Sequence, residues 1–241
     1  MDPGLYTTER GQAGERAYTE LKRRLLAGEF PLRLRLGEER LATLLEVSRT
    51  PVRQALARLH AERLVERMPD GGYVPAAPNL LEVRQLYEVR RALELSALAR
   101  PAELGTRHDA AVIEPLRDDW RALRRDTPEP DPNFVLQDES FHLRLADAAG
   151  NRELTALLAV VNERIRAVRM HDFLTEERID RTISQHLGIA EAVLTGDLDA
   201  AHTRFTAHLG ESIAVVEERA TRALARMMMA ADWSAADGGA S

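Results

Sequence analysis

Apolar residues recur every three to four positions along most of the chain, the period of helices that bury one face. In the first third this pattern predicts three short helices. Residues 17–26 carry Tyr18, Leu21 and Leu25 on one face, 39–45 carry Leu41, Ala42, Leu44 and Leu45, and 50–63 carry Val52, Leu56 and Leu59. Glu46-Val47-Ser48 is a tight connection between the second and third. Ser48 or Thr50 can cap the third helix, and Pro51 falls in its first turn, where a missing N–H costs nothing. Two β-prone runs, 64–68 and 72–75, flank Pro69-Asp70-Gly71-Gly72, whose residues tolerate unusual φ, and read as a hairpin. Helix, helix, turn, helix, hairpin is the order of a winged helix-turn-helix, which puts its third helix in the DNA major groove and its wing on the adjacent backbone.

The pattern changes at Tyr73-Val-Pro-Ala-Ala-Pro-Asn79, where two prolines and an asparagine mark a domain boundary. Downstream the helical period continues without β-type alternation. Asn79 can cap a helix over 80–103, and further helices are expected at about 107–125, 133–149, 152–171, 175–195 and 198–229. The expected fold is therefore mainly α: an N-terminal winged helix-turn-helix with a small β-hairpin, then an antiparallel all-α bundle. The expected divisions are a flexible segment over 1–16, the winged domain over 17–77, the bundle over 78–230 and a disordered tail over 231–241.

Charge sharpens this division. The formal net charge of -6 argues against a nucleic-acid partner until it is counted by segment. Residues 1–79 hold 13 Lys plus Arg against 11 Asp plus Glu, net +2, so the rest carries net -8. The acidity belongs to the bundle. A +2 winged domain has modest nonspecific affinity, so stable binding calls for a dimer on a palindromic, double-stranded operator. There is no cysteine, which excludes disulfides, thiolate metal sites and cysteine nucleophiles. No run approaches a membrane span or a signal peptide's apolar core, so a cytoplasmic location without membrane contact is expected.

The run VSRTPVRQAL, Val47 to Leu56, preceded by GEERLATLLE and followed by ARLHAERLVER, resembles the GntR family of bacterial transcription regulators. The resemblance implies that Arg49 and Arg53 read bases and phosphates, that Ser48 and Thr50 contact the backbone, and that Gly71 or Gly72 is the wing glycine. The chemistry agrees, because Arg matches a guanine edge with two hydrogen bonds. The bland alternative is a solvated helix face on which Arg49 and Arg53 pair with glutamates. Two positions depart from the family: its usual Pro-Gly before the second helix is Leu32-Arg33, and its common Gly after the recognition helix is Arg63.

The later motifs LYEVRRALE, DESFHLRLADAAGN, SQHLGIAEAVLTGD and AHTRFTAHL resemble the FCD ligand domain of the FadR-type branch, in its metal-binding variety. Asp138 and His142 stand four apart, so one helical face presents a carboxylate and an imidazole together. The resemblance implies that His186 and His208 join them in the bundle core. Three histidines and one aspartate suit zinc, nickel or manganese, with zinc favoured by the histidine count. His60, His108, His171 and His202 fit no motif and read as surface or packing residues.

Such a metal can hold the carboxylate of a small organic or sugar acid, with a cationic side chain pairing the acid's second polar group. Arg90 is the candidate, and Arg164 and Arg166 are alternatives. Arg90 reads equally well as a solvated i,i+4 salt bridge to Glu94. The function that follows is a homodimeric, effector-controlled transcription regulator, commonly a repressor, and not an enzyme. A metal-dependent hydrolase is the alternative from another class, since zinc on three histidines lowers the pKa of bound water to about 7, but no HExxH-like motif supplies a base. A third reading makes the metal purely structural.

Overall fold

Tyr18, Leu21 and Leu25 are the buried stripe of a helix longer than its apolar pattern. A computed structural model describes residues 3–230. In it α1 spans Pro3–Leu26 and so includes most of the segment expected to be flexible. Helix propagation adds a hydrogen bond for each residue fixed, so a helix anchored at Ala17 to Leu26 extends easily. The tail expected over 231–241 lies outside the described residues.

α2 spans Glu38–Leu45 and α3 spans Arg49–Ala61, with Leu41, Val52, Leu56 and Leu59 fully buried between them and α1. Strands β1 (Val65–Arg67) and β2 (Tyr73–Pro75) pair antiparallel, Glu66 opposite Val74, and form the wing. Glu46, which ends α2, has φ 53°, and Arg63, between α3 and β1, has φ 61°. Both sit in the left-handed region that glycine enters without strain. The departure from the family's Gly at Arg63 therefore leaves the turn intact at a conformational cost.

The second unit covers Asn79–Arg219. Asn79 caps α4 (Leu80–Glu103), its Oδ1 accepting from Glu82 N at 3.1 Å. α5 (Ala110–Arg125), α6 (Phe134–Asp147), α7 (Arg152–Arg169), a 3₁₀ turn at Met170–Phe173, α8 (Glu176–Thr195) and α9 (Leu198–Met229) follow. Val83, Leu86 and Tyr87 of α4 pack with Val161 and Ile165 of α7 and Val216 of α9. α9 continues past this unit, and its turns from Ala220 group with the winged unit rather than with the bundle. Within that winged unit Leu32 N donates to Met227 O, and Arg226 Nη1 donates to Ala27 O. No helix among the described residues is long and apolar enough to cross a membrane.

Candidate metal centre and nucleic-acid interface

α6 presents Asp138 and His142 one turn apart, α8 brings His186, and α9 brings His208. All four side chains are almost wholly buried, and one donor atom from each lies within 4.8 Å of the others. His186 Nε2 is 3.2 Å from His208 Nε2, which is 3.3 Å from His142 Nε2. Asp138 Oδ1 is 3.4 Å from His186 Nε2, and Oδ2 is 3.5 Å from His142 Nε2.

The surroundings decide which ring nitrogens face inward with lone pairs. Gln185 Nε2 donates to Glu211 Oε2 at 2.8 Å, so its Oε1 is left to accept from His208 Nδ1, also at 2.8 Å. His208 therefore carries its proton on Nδ1 and turns the Nε2 lone pair to the centre. His142 Nδ1 lies 3.2 Å from Glu94 Oε1 without the alignment of a hydrogen bond, while its Nε2 is the nitrogen turned toward the other donors. His186 is set by packing: its ring stacks on Phe141 at 3.8 Å and meets Trp120 edge-on at 4.2 Å. Burial pushes His186 well below its usual pKa against the pull of Asp138, and pushes His208 the same way with His186 and His142 adding to it. Inward lone pairs in a dry interior repel one another unless a cation lies between them. Donor bonds of about 2.0–2.1 Å at a tetrahedral centre put donors about 3.3 Å apart, and four donor–donor distances lie at 3.2–3.5 Å, so the residues fit a small divalent metal.

The cationic side chains divide sharply. Arg164 is exposed and pairs with Glu82 at 2.7 Å, while Arg166 pairs with Glu139 at 2.8 Å. Arg90 is fully buried. Its Nε donates to Glu94 at 2.8 Å, its Nη2 lies 4.0 Å from Asp138 Oδ2, and neither Nη1 nor Nη2 has a hydrogen-bond partner. The i,i+4 pair with Glu94 thus exists, but in the core and not on a solvated face. Burial works against ionisation of Glu94, yet Arg90 and His142 outweigh it and hold the carboxyl at about 2. Burial likewise opposes the charge on Asp138, and Arg169 with His142 and His186 keeps it ionised well below the usual range.

Sequence reasoning missed Arg169, which donates to Asp138 Oδ2 in a short contact and is fully buried. It also missed Asn162, buried on α7 with no partner for either amide atom and two turns before Arg169 on the same face. The seven-residue spacing of Asn162 and Arg169 within an otherwise apolar stripe was the available signal. Gln185 and Glu211 were missed too, and no local pattern joins them. Of the remaining histidines, His202 is exposed, His60 and His171 meet the Val65 and Val168 carbonyls, and His108 is buried beside Ala97.

At the other site Ser48 is the N-cap residue of α3, but its hydroxyl makes no capping bond. Ser48, Arg49, Thr50 and Arg53 are all exposed, with the helix's first N–H groups beside them. Arg53 Nε and Nη2 donate to the two oxygens of Glu38 at 2.8 and 2.7 Å, and Arg49 Nη2 lies 3.7 Å from Glu38. In the wing, Gly71 has φ 87° with open space around it, so the turn itself requires glycine there. Gly72 has an ordinary φ. A Cβ on it would come within 3.0 Å of the guanidinium of Arg35, which is paired to Asp70.

Comparison with known proteins bears on the family. The gntR family of bacterial regulatory proteins matches residues 13–74, and the FCD domain matches 85–211. The chain is 32% identical over 80% of its length to an HTH-type transcriptional regulator in an unstable DNA locus of Streptomyces ambofaciens, covering 80% of that protein. It is 31% identical over 73% of its length to the Nta operon transcriptional regulator of Aminobacter aminovorans, again covering 80%. Its fold is shared with Lar of Listeria monocytogenes, at 22% identity, TM-score 0.54, and coverage of 87% of this chain and 96% of that one. A winged reading head followed by an FCD domain makes this chain a member of the GntR family of transcription regulators, not an enzyme.

Proposed function

We propose that this regulator binds a palindromic operator as a homodimer in the cytoplasm, and that a small organic or sugar acid at a zinc centre in the bundle releases it from DNA. The observation that carries this reading is Arg90: a fully buried guanidinium with two unpartnered amino groups, 4.0 Å from a carboxylate of the donor set. A buried cation left short of hydrogen bonds is costly, by several kcal/mol, and an anion between it and the metal removes that cost. Asp138, His142, His186 and His208 would hold the metal, which when bound supplies a Lewis-acidic point for a carboxylate oxygen. Glu94 fixes Arg90, and Arg90 takes the acid's second polar group. The acid controls DNA affinity to the extent that it binds one state of the bundle better than the other.

Reading of the operator falls to Arg49 and Arg53, with Ser48, Thr50 and the wing at Gly71 and Gly72 on phosphates. The dimer is supported by α4 and α7, neighbours in the bundle, which expose Leu81, Val89, Leu157 and Val160 to roughly half or more of their full area. Apolar residues on adjacent exposed turns are the usual mark of a self-complementary interface. Repression relieved by effector is the arrangement that the family resemblance implies.

The test is a thermal-shift screen of dicarboxylic and sugar acids on zinc-loaded protein, followed by DNA release with each hit. A hit should raise the melting temperature of wild type and not of Arg90→Lys, and should weaken DNA binding. Hits that act equally on both chains, or that leave DNA binding untouched, overturn the effector assignment.

A further inference from the structure

Arg53 has Glu38 as its partner in this free protein, and the way they meet restricts what Arg53 can do next. A guanidinium offers two forks: a side fork of Nε–H and one Nη2–H, and an end fork of Nη1–H and the other Nη2–H. Glu38 takes the side fork with both oxygens. Among the described residues Nη1 has no partner, so the end fork faces outward with its two donors parallel. Arg53 remains about two-thirds exposed, whereas Glu38 is about three-quarters covered. The carboxylate is therefore the anchored member and the arginine the presented one. Glu38 is the first residue of α2 and Arg53 lies in the second turn of α3, so the pair ties the two helices of the reading head together. Arg49, one turn earlier on the same face, is within 3.7 Å of the same carboxylate.

We propose that Glu38 is a specificity-determining positioning residue, which holds the side fork of Arg53 and so aims its end fork at an acceptor pair such as guanine O6 and N7. The proposal rests on the reading of DNA by Arg53 and goes further in assigning a carboxylate, which itself repels phosphate, to base selection. Two effects follow. A clamped arginine meets a base without losing the freedom of a loose side chain, and only bases whose acceptors lie on its fixed axis are rewarded. The clamp also cancels one positive charge at the groove, which lowers sequence-independent binding, since that binding is set by phosphate neutralisation. Without Glu38 the arginine is free to swing onto the backbone.

The experiment starts from duplexes enriched by the wild-type chain from a randomised library. Affinity for an enriched duplex and for its scrambled counterpart is then measured over a salt series for wild type, Glu38→Ala, Glu38→Gln, Arg53→Ala and the double variant. Glu38→Ala should bind scrambled DNA at least as tightly as wild type, with a steeper salt dependence, while its preference for the enriched duplex falls about tenfold or more. The base positions it relaxes should be those relaxed by Arg53→Ala, and the double variant should lose no more than Arg53→Ala alone. Glu38→Gln keeps one acceptor for Nε and should recover part of the preference. A purely structural role would weaken both duplexes alike and lower the melting temperature. Full preference retained in Glu38→Ala overturns the proposal alone. A wild-type chain that enriches no sequence, or an Arg53→Ala variant with unchanged preference, overturns the DNA reading and this proposal with it.

Discussion

His208 Nδ1 lies 2.8 Å from Gln185 Oε1, and the other end of that amide is tied to Glu211. Glu211 is in turn held by Arg181 at 2.6 Å and Arg178 at 3.2 Å. The chain of contacts leaves His208 one tautomer and one ring orientation. Gln185→Leu keeps the bulk and removes the acceptor. Its zinc affinity, read by competition with a chromophoric chelator, should fall about 10–100-fold, with the melting temperature of the metal-free chain nearly unchanged. Unaltered affinity would show that packing alone orients the ring.

Metal should stabilise the fold by mass action. At free zinc about 100 times the dissociation constant the gain is about 2.7 kcal/mol, because the unfolded chain does not assemble the four donors. Asp138→Asn should lose most of the zinc-dependent rise in melting temperature. In that variant Arg169 also loses its nearer carboxylate and keeps only Glu139 at 3.7 Å, so the metal-free chain should melt lower than wild type.

Arg63 gives a prediction of the opposite sign. A non-glycine residue in the left-handed region costs about 1–2 kcal/mol, and glycine returns about 0.5–1 kcal/mol of that as unfolded-state entropy. Arg63→Gly should therefore stabilise by about 0.5–1 kcal/mol, seen as a higher urea midpoint at unchanged slope. Glu46→Gly should act in the same direction, its φ being 53°.

Buried His108 sets a pH dependence outside both sites. Burial lowers its pKa, and a hydrogen bond to the Ala97 backbone only partly offsets this. Below the unfolded value of about 6.5 the unfolded chain binds a proton that the native chain does not, so stability falls as pH drops through that value. Melting between pH 8 and 5 should show a smaller loss in His108→Gln than in wild type. Equal losses would place the dependence elsewhere.

Much of this protein is written in spacings of three and four. Apolar residues at that spacing supply much of what α8 and α9 bury, such as Ile179, Ile183 and Leu187 or Ala201, Phe205 and Leu209, whereas α4 exposes Leu81 and Val89 and buries Arg90 and Glu94. Asp138–His142 and Arg90–Glu94 meet because helix geometry puts i and i+4 side by side. The residue types of the candidate metal centre and of the first turns of α3 were legible for the same reason, together with their motifs. What lay beyond the sequence is contact between helices, where the relation of two faces depends on packing across long stretches of chain. Only the folded bundle turns three Nε2 atoms on α6, α8 and α9 toward one point, brings Arg169 from the end of α7 to Asp138, and shuts Arg90 and Glu94 away from water. The +2 charge of the reading head likewise said nothing of Glu38. That carboxylate reaches Arg53 only because α2 and α3 pack with their N-terminal turns close together, and that packing is set by a shared apolar core rather than by either helix alone.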